Sequence, residues 1–421
     1  CLTTLEELKQ EPVFFFTATP IAPGGQGSSM RVYTNLRAYL DLGFRIELVH
    51  FPNEDNQNTP LLLPEGEIHL TQVQRNLNGM NRYLKKLAMR LGWPQSFILN
   101  AIFPGRQQLV DAVRTRFQEH PQALFHFEYD DFASSITAFP GMRSVWSNHD
   151  LFSQRVKLIW QSRDERRPPD RSEAERQRIV GRVRQAEDLI ARRASLILNI
   201  AVHEHAEFLR RGYRNAVLFP MSWPDEALVR RARAWKEDGK LRLLHLGSVN
   251  GLMGYESLSY LIGEVFPRLK PEALDGLELW VVGTVADSFY CNRILEVAKP
   301  YPQIRFLGFV EDLREMYAQV DLQVIGGTKA SGLRTRIIES MVYGVPVLST
   351  AEMAEGLTGL VDGENILLAA DVQDYAEKLS RLVNTPFDFD QLARSARETY
   401  DRVYSRSVAA EVLAEALTKY S

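Results

Sequence analysis

The sequence predicts an α/β protein built from two doubly wound parallel sheets, and three observations carry that prediction. Short apolar runs alternate with amphipathic stretches along both halves of the chain, the pattern of repeated strand–helix–strand units. Several runs are continuous rather than alternating, as in Val13-Phe14-Phe15-Phe16, which suits strands buried on both faces. At 421 residues the chain is too long for one ordinary core, so two domains are expected.

The elements follow in order. After the strand at Val13–Phe16 comes the glycine-rich turn PIAPGGQGSSMR. The amphipathic helix VYTNLRAYLDLG is closed by Gly43, and FRIELVHF is the next strand. ALFHFEYDDF and RSVWSNHD supply further strand ends. The second half repeats the scheme with LRLLHLGS, a helix through YESLSYLIGEVFPRL, LELWVVG, IRFLGFV and DLQVIGG. The polar stretch 223–240, opening with Trp223-Pro224, reads as a linker between a domain at 1–222 and one at 241–395. Residues 396–421 form a last amphipathic segment.

Composition narrows the function. A hydrophobic fraction of 45% and a charged fraction of 24% are those of a soluble globular protein, and a net charge of −3 gives no pull toward nucleic acid. Only Cys1 and Cys291 are present, which excludes a disulfide framework or a cysteine-based zinc site and fits a reducing cytoplasm. There is no apolar run of about 18 residues for a membrane span. The start at Cys1 has neither an initiator methionine nor an apolar signal region, and reads as a cut chain or a vector scar rather than a lipoprotein. In 81–92, NRYLKKLAMRLG, Arg82, Lys85, Lys86 and Arg90 lie among apolar residues. This segment is a candidate for contact with the inner face of an anionic membrane; a helix with a solvated basic face is the alternative.

The most informative stretch is Asp321–Gly356, DLQVIGGTKASGLRTRIIESMVYGVPVLSTAEMAEG. It reads as strand, glycine loop, helix and strand. Arg334 and Arg336 fall at the helix start, Glu339 one turn on, and Gly344 at its end. A helix N-terminus beside two guanidiniums suits a diphosphate, and the carboxylate suits ribose hydroxyls. An ordinary buried unit with Arg336 and Glu339 as an i,i+3 surface pair is the bland alternative.

This segment resembles the donor signature of retaining glycosyltransferases of the GT-B fold, the family that includes sucrose synthase and bacterial mannosyltransferases. One branch carries a pattern close to GSGTRLKILEAMAAGVPVVST followed by GAEGL; here ASGLRTRIIESMVYGVPVLST is followed by MAEGL without a gap. The resemblance implies two Rossmann-like domains facing a cleft, with a terminal helix crossing back to the first. It also implies transfer of a hexose from a nucleoside-diphosphate sugar to an acceptor hydroxyl on a glycan, a lipid-linked group or a small molecule. Retention, metal independence and no cofactor beyond the nucleotide sugar come with it. The alternatives are a non-catalytic nucleotide-sugar-binding or scaffolding subunit and a sugar-nucleotide epimerase of the same fold.

Site residues follow from the same comparison. Gly247, Gly283, Phe309, Val310, Arg334, Arg336 and Glu339 are the expected nucleotide contacts. Gly25, Gly27, Ser331 and Gly332 are expected around the donor sugar and phosphate. Ser331 stands where many relatives have a second glutamate, which leaves the donor sugar open. Arg31 and Tyr129 fall on the acceptor side. Many relatives carry HxH where this chain has His126-Phe127-Glu128, so Glu128 takes the place of a sugar-contacting histidine, and His126 would point into the domain. His149 and Asp150 complete the catalytic candidates, with Asp150 either orienting the imidazole or capping a helix from Leu151.

Overall fold

The computed structural model describes residues 4–21, 27–52, 61–73, 106–164, 171–328 and 332–420. The chain divides into two compact units, Cys1–Pro224 with Arg406–Ser421, and Asp225–Ser405.

In the first unit a seven-stranded sheet has the order β3-β2-β1-β4-β5-β6-β7. Its strands are β1 Val13–Thr17, β2 Ile46–His50, β3 Ile68–Gln72, β4 Leu124–Glu128, β5 Ser144–Asn148, β6 Leu196–Asn199 and β7 Ala216–Leu218. Every pairing is parallel. Strand β1 is buried throughout because both faces are covered. One face packs Phe15, Val145 and Leu198 against Val32, Leu36 and Tyr39 of helix Gly27–Asp41 and against Leu413 and Leu417 of helix Arg406–Tyr420. The other packs Phe14, Phe125 and Trp146 against Leu109, Val113 and Ile190. The chain order reverses between β1 and β4, so the carboxyl ends of these strands flank the switch point where ligands bind in open α/β sheets.

The second unit repeats the plan with the order β10-β9-β8-β11-β12-β13, all parallel. The strands are β8 Leu241–Leu246, β9 Leu277–Val282, β10 Ile304–Gly308, β11 Leu322–Ile325, β12 Val347–Thr350 and β13 Leu367–Ala369. Its switch point lies between β8 and β11.

Two expected boundaries move. The polar stretch 225–240 belongs to the second unit, because its charges are used there: Arg231 and Arg233 both pair with Asp321 at 3.0 Å, and Asp321 is fully buried ahead of β11. Lys236 donates to the carbonyls of Leu382 and Val383. Residues 396–405 also stay in the second unit. Ala396 and Tyr400 lie on the buried face of helix Phe389–Val403, and Arg397 donates to the carbonyls of Val342 and Glu226. Return to the first unit comes at Arg406, whose guanidinium pairs with Asp41 at 2.9 Å.

Candidate functional site

In the second unit, β11 leads into Gly326 and Gly327, and helix Thr335–Tyr343 returns the chain to β12. Side-chain volume is excluded along this edge. A Cβ on Gly327 would lie 2.2 Å from the Met353 methyl carbon, and one on Gly283 would lie 2.0 Å from the Gly247 carbonyl oxygen. Gly247 and Gly283, expected as nucleotide contacts, thus have a packing reason to be glycine: their backbones touch, with φ of +154° and +151°. Gly332 has φ +63°. Ser331 and Gly25 lie outside the described residues, as does 81–92, while Gly27 is the first residue of its helix.

Helix Thr335–Tyr343 starts without a side-chain cap, because its N-cap position is Arg334, which has no acceptor to offer. Thr335 N–H donates to the Leu333 carbonyl and Ile337 N–H to the Arg334 carbonyl, so the amino end offers an anion its dipole and no side-chain competitor rather than a full set of open N–H groups. Arg334 donates Nε–H to the Met353 sulfur at 3.1 Å, and burial lowers its pKa. Arg336 pairs with Glu339 at 2.6 Å; burial lowers the guanidinium pKa, but the charge and hydrogen bond of Glu339 together with Tyr317 and Tyr343 outweigh that and raise it. The i,i+3 pair is therefore real, yet it is no surface pair, since Glu339 is buried. At its other end the helix closes on Gly344 at φ +75°, with Val345 N–H donating to the Ser340 carbonyl. Phe309 is 76% exposed just past β10, with Val310 half-buried beside it.

His245 on β8 escaped the sequence reading. It is buried, its Nδ1 has no partner, and burial with the nearby Arg336 charge lowers its pKa to about 4. The imidazole is therefore neutral within the electrostatic reach of Arg336.

In the first unit the carboxyl end of β4 holds a buried polar network. Glu128 is 0% exposed. Its Oε1 accepts from Asn35 Nδ2 at 2.7 Å and from His126 Nε2 at 2.9 Å, and its Oε2 accepts from His149 Nε2. Burial pushes this carboxyl up, but the His149 charge and the hydrogen bonds of His126 and His149 more than offset it. The group is held well below the usual carboxylate range. His126, its pKa lowered by burial, stacks on Phe15 with ring centroids 4.2 Å apart. With Glu128 ionised, the His126 Nε2–H donates to it, so Nδ1 accepts from the Tyr39 hydroxyl at 3.0 Å. His126 is the satisfied core histidine the sequence predicted.

Glu128 differs from its expectation. It does not present a carboxylate to a sugar; it is the acceptor that orients His149. The reason is register: Glu128 lies opposite Ser147 across β4 and β5, and Asn35 donates to both side chains at 2.7 and 2.9 Å, closing over the carboxylate. The side chain nearer the surface is His149, 8% exposed, with Tyr129 stacked on its ring at 3.8 Å between centroids. Tyr129 reaches that position with φ +64°, a left-handed backbone rarely adopted by an aromatic residue, and its hydroxyl bonds Ser28.

Asp150 caps nothing. It accepts from Arg155 Nη1 at 3.2 Å, while the amino end of helix Phe152–Asp164 is capped by carboxylates from elsewhere. Ser153 N–H donates to Glu187 at 2.8 Å and Leu151 N–H to Glu204 at 3.4 Å. Arg31, expected toward an acceptor, is fully buried, with Nη1 donating to the carbonyls of Phe219 and Pro220. Arg31, Asn35 and Tyr39 recur every four residues on a buried helix face, the one signal in the sequence that could have revealed the network.

Among the described residues no helix is long and apolar enough to cross a membrane. Residues 240–385 match the family model described as glycosyl transferases group 1. The lipopolysaccharide core biosynthesis glycosyltransferase LpsE of Rhizobium meliloti (strain 1021) is 29% identical over 136 residues. That match covers 32% of this chain and 39% of LpsE, less than half of either. Among solved structures, Anabaena HepE in complex with UDP and glucose aligns with a TM-score of 0.67 and 15% identity over 97% of this chain and 99% of that one. Sucrose-phosphate synthase from Thermosynechococcus elongatus aligns with a TM-score of 0.68 and 15% identity, covering 96% and 98%. At these identities the likeness concerns the fold.

Proposed function

The chain has the GT-B fold with a glycosyl transferases group 1 domain at residues 240–385, and from that premise we propose that it transfers a hexose from a nucleoside-diphosphate sugar to an acceptor hydroxyl. The observation that carries the proposal is the uncapped amino end of helix Thr335–Tyr343 beside Arg334 and Arg336, at the edge of the β8/β11 switch point. As the glycosidic bond breaks, negative charge grows on the departing diphosphate. Two guanidiniums and a helix N-terminus stabilise it where they already stand. Glu339, now paired with Arg336, is the carboxylate for the ribose. Ser331 and Gly332 adjoin the donor sugar, and the exposed Phe309 with Val310 adjoins the base.

On the acceptor side His149, held through Nε2 by Glu128 and stacked by Tyr129, is the imidazole available to hydrogen-bond a sugar or acceptor hydroxyl. Glu128 acts through it as a positioning residue. Transfer proceeds with retention and without a metal, the arginines supplying the positive charge, and the protein works in the cytoplasm or on the inner face of the membrane. HepE was solved with UDP-glucose, which makes uridine diphosphate sugars the first donors to test. A thermal-shift screen of uridine, guanosine and adenosine diphosphate sugars should show one that raises the melting temperature, because a ligand of the native state stabilises it by mass action. Release of free nucleoside diphosphate from that donor should then require an acceptor and survive a chelator. No shift with any donor would overturn the proposal.

A further inference from the structure

Arg334, at the N-cap position of helix Thr335–Tyr343, and Arg336, within its first turn, are held in different ways. Arg336 is held by a carboxylate, that of Glu339, at 2.6 Å. Arg334 gives its Nε–H to a thioether, the Met353 sulfur, at 3.1 Å. The difference lies in charge. A carboxylate fixes a guanidinium but competes with a phosphate for its attraction. Sulfur is a weak, neutral acceptor, so it sets the plane of the group and leaves the charge in place. Burial lowers the Arg334 pKa, and the Glu256 charge opposes that without cancelling it.

The sulfur is itself a fixed point. Met353 is 3% exposed, on the short helix Ala351–Ala354 that follows β12. Its methyl carbon and sulfur lie 2.2 and 3.7 Å from the position a Gly327 Cβ would take, so the side chain fills the space this glycine leaves. The glycine loop is pinned as well. The Gly327 carbonyl accepts from Thr350 Oγ1 at 2.7 Å, and the Gly326 N–H donates to Ser257 Oγ at 3.3 Å. Helix Ala351–Ala354, the glycine loop and Arg334 thus meet on one side chain. In the branch pattern GAEGL a glycine stands where this chain has Met353, and a glycine has no side-chain acceptor to offer.

We infer that Met353 is a positioning residue for the donor diphosphate: its sulfur orients the Arg334 guanidinium while its methyl group braces the Gly326–Gly327 loop. This rests on the transferase reading, in which Arg334 stabilises the departing diphosphate, and adds the residue that aims it.

Inorganic pyrophosphate binding to the full chain, measured by calorimetry, tests the inference without turnover. Met353→Leu keeps the apolar volume and removes the acceptor. Affinity should fall about three- to tenfold, the worth of one hydrogen bond, with the melting temperature near that of the wild type. The same substitution in an Arg334→Ala background should change affinity by less than about twofold, because the sulfur acts through the arginine. An equal loss in both backgrounds overturns the inference, since the sulfur would then act by packing alone; so does an unchanged affinity in the folded single variant. Should Met353→Leu not fold, Met353→Gln decides, because it offers a neutral oxygen in place of sulfur. Affinity within about twofold of the wild type supports the inference, and a larger loss overturns it. A wild-type protein that binds no pyrophosphate sinks the donor reading, and the inference falls with it. Binding that is indifferent to Met353 sinks the inference alone.

Discussion

Glu128 offers the sharpest perturbation, because alanine and glutamine separate its two duties. Glu128→Ala removes the acceptor shared by Asn35, His126 and His149 and leaves the His126 Nε2–H buried without a partner. Losing one side of a buried charged cluster costs about 3–5 kcal/mol, a large share of a typical domain's stability. Glu128→Gln keeps the volume and leaves one oxygen for Asn35 and His126, but turns an N–H₂ toward His149. That N–H₂ cannot accept from the His149 Nε2–H, so the hydrogen bond orienting the ring is lost. We expect a loss of about 1.5–3 kcal/mol for the missing charge-assisted bond. Turnover should fall by about tenfold or more, with nucleoside diphosphate affinity unchanged because that ligand is assigned to the other unit.

The pH dependence is signed. The folded Glu128 carboxyl is depressed, so its stabilisation is present above the unfolded value of about 4.3 and is lost as pH falls below it. The folded His126 is depressed too, so stability also declines as pH falls below about 6.5, where the unfolded imidazole protonates first. Urea midpoints measured from pH 8 to pH 3 should show both steps in the wild type and only the upper one in Glu128→Gln. An unchanged lower step together with wild-type turnover would refute the reasoning.

Three further outcomes are expected. Arg334→Ala should weaken nucleoside diphosphate binding by about 1.5–3 kcal/mol in calorimetry, and unchanged affinity in the folded variant would remove this residue from the site. Glu339→Gln should weaken nucleoside diphosphate binding more than pyrophosphate binding, because its proposed contact is the ribose; equal losses would contradict that role. Asp321→Asn leaves Arg231 and Arg233 without their shared buried carboxylate, so the second unit should lose about 3–5 kcal/mol in denaturant titrations; a loss under 1 kcal/mol would mean that the segment 225–240 is held by other contacts.

The sequence alone determined the architecture and the strand–loop–helix unit that carries the proposed donor contacts, because both are written in local pattern. Continuous apolar runs mark buried strands, and helix Thr335–Tyr343 with its arginines and closing glycine lies within one contiguous stretch. Strands β3, β6, β7 and β13 went unread: three residues, as in β7, are too few for a period to show. The boundaries at 225 and 406 were illegible for a different reason. A polar segment looks like a linker until its partner is known, and Asp321 lies about 90 residues from Arg231 in the chain. Tertiary structure alone decided the partners of Glu128, Arg31 and Asp150. Glu128 sits at a strand end in either reading, and whether its carboxylate faces a ligand or the protein depends on Asn35, 93 residues away in sequence. Arg31 follows a glycine loop, yet its place in the helix turns it onto the carbonyls of Phe219 and Pro220, 188 and 189 residues on. Asp150 precedes a helix, but Glu187 and Glu204 reach its amino end first. Backbone pattern is set by neighbours in sequence, whereas the protonation and orientation of a buried polar group are set by whichever distant groups the packing brings within about 3 Å of it.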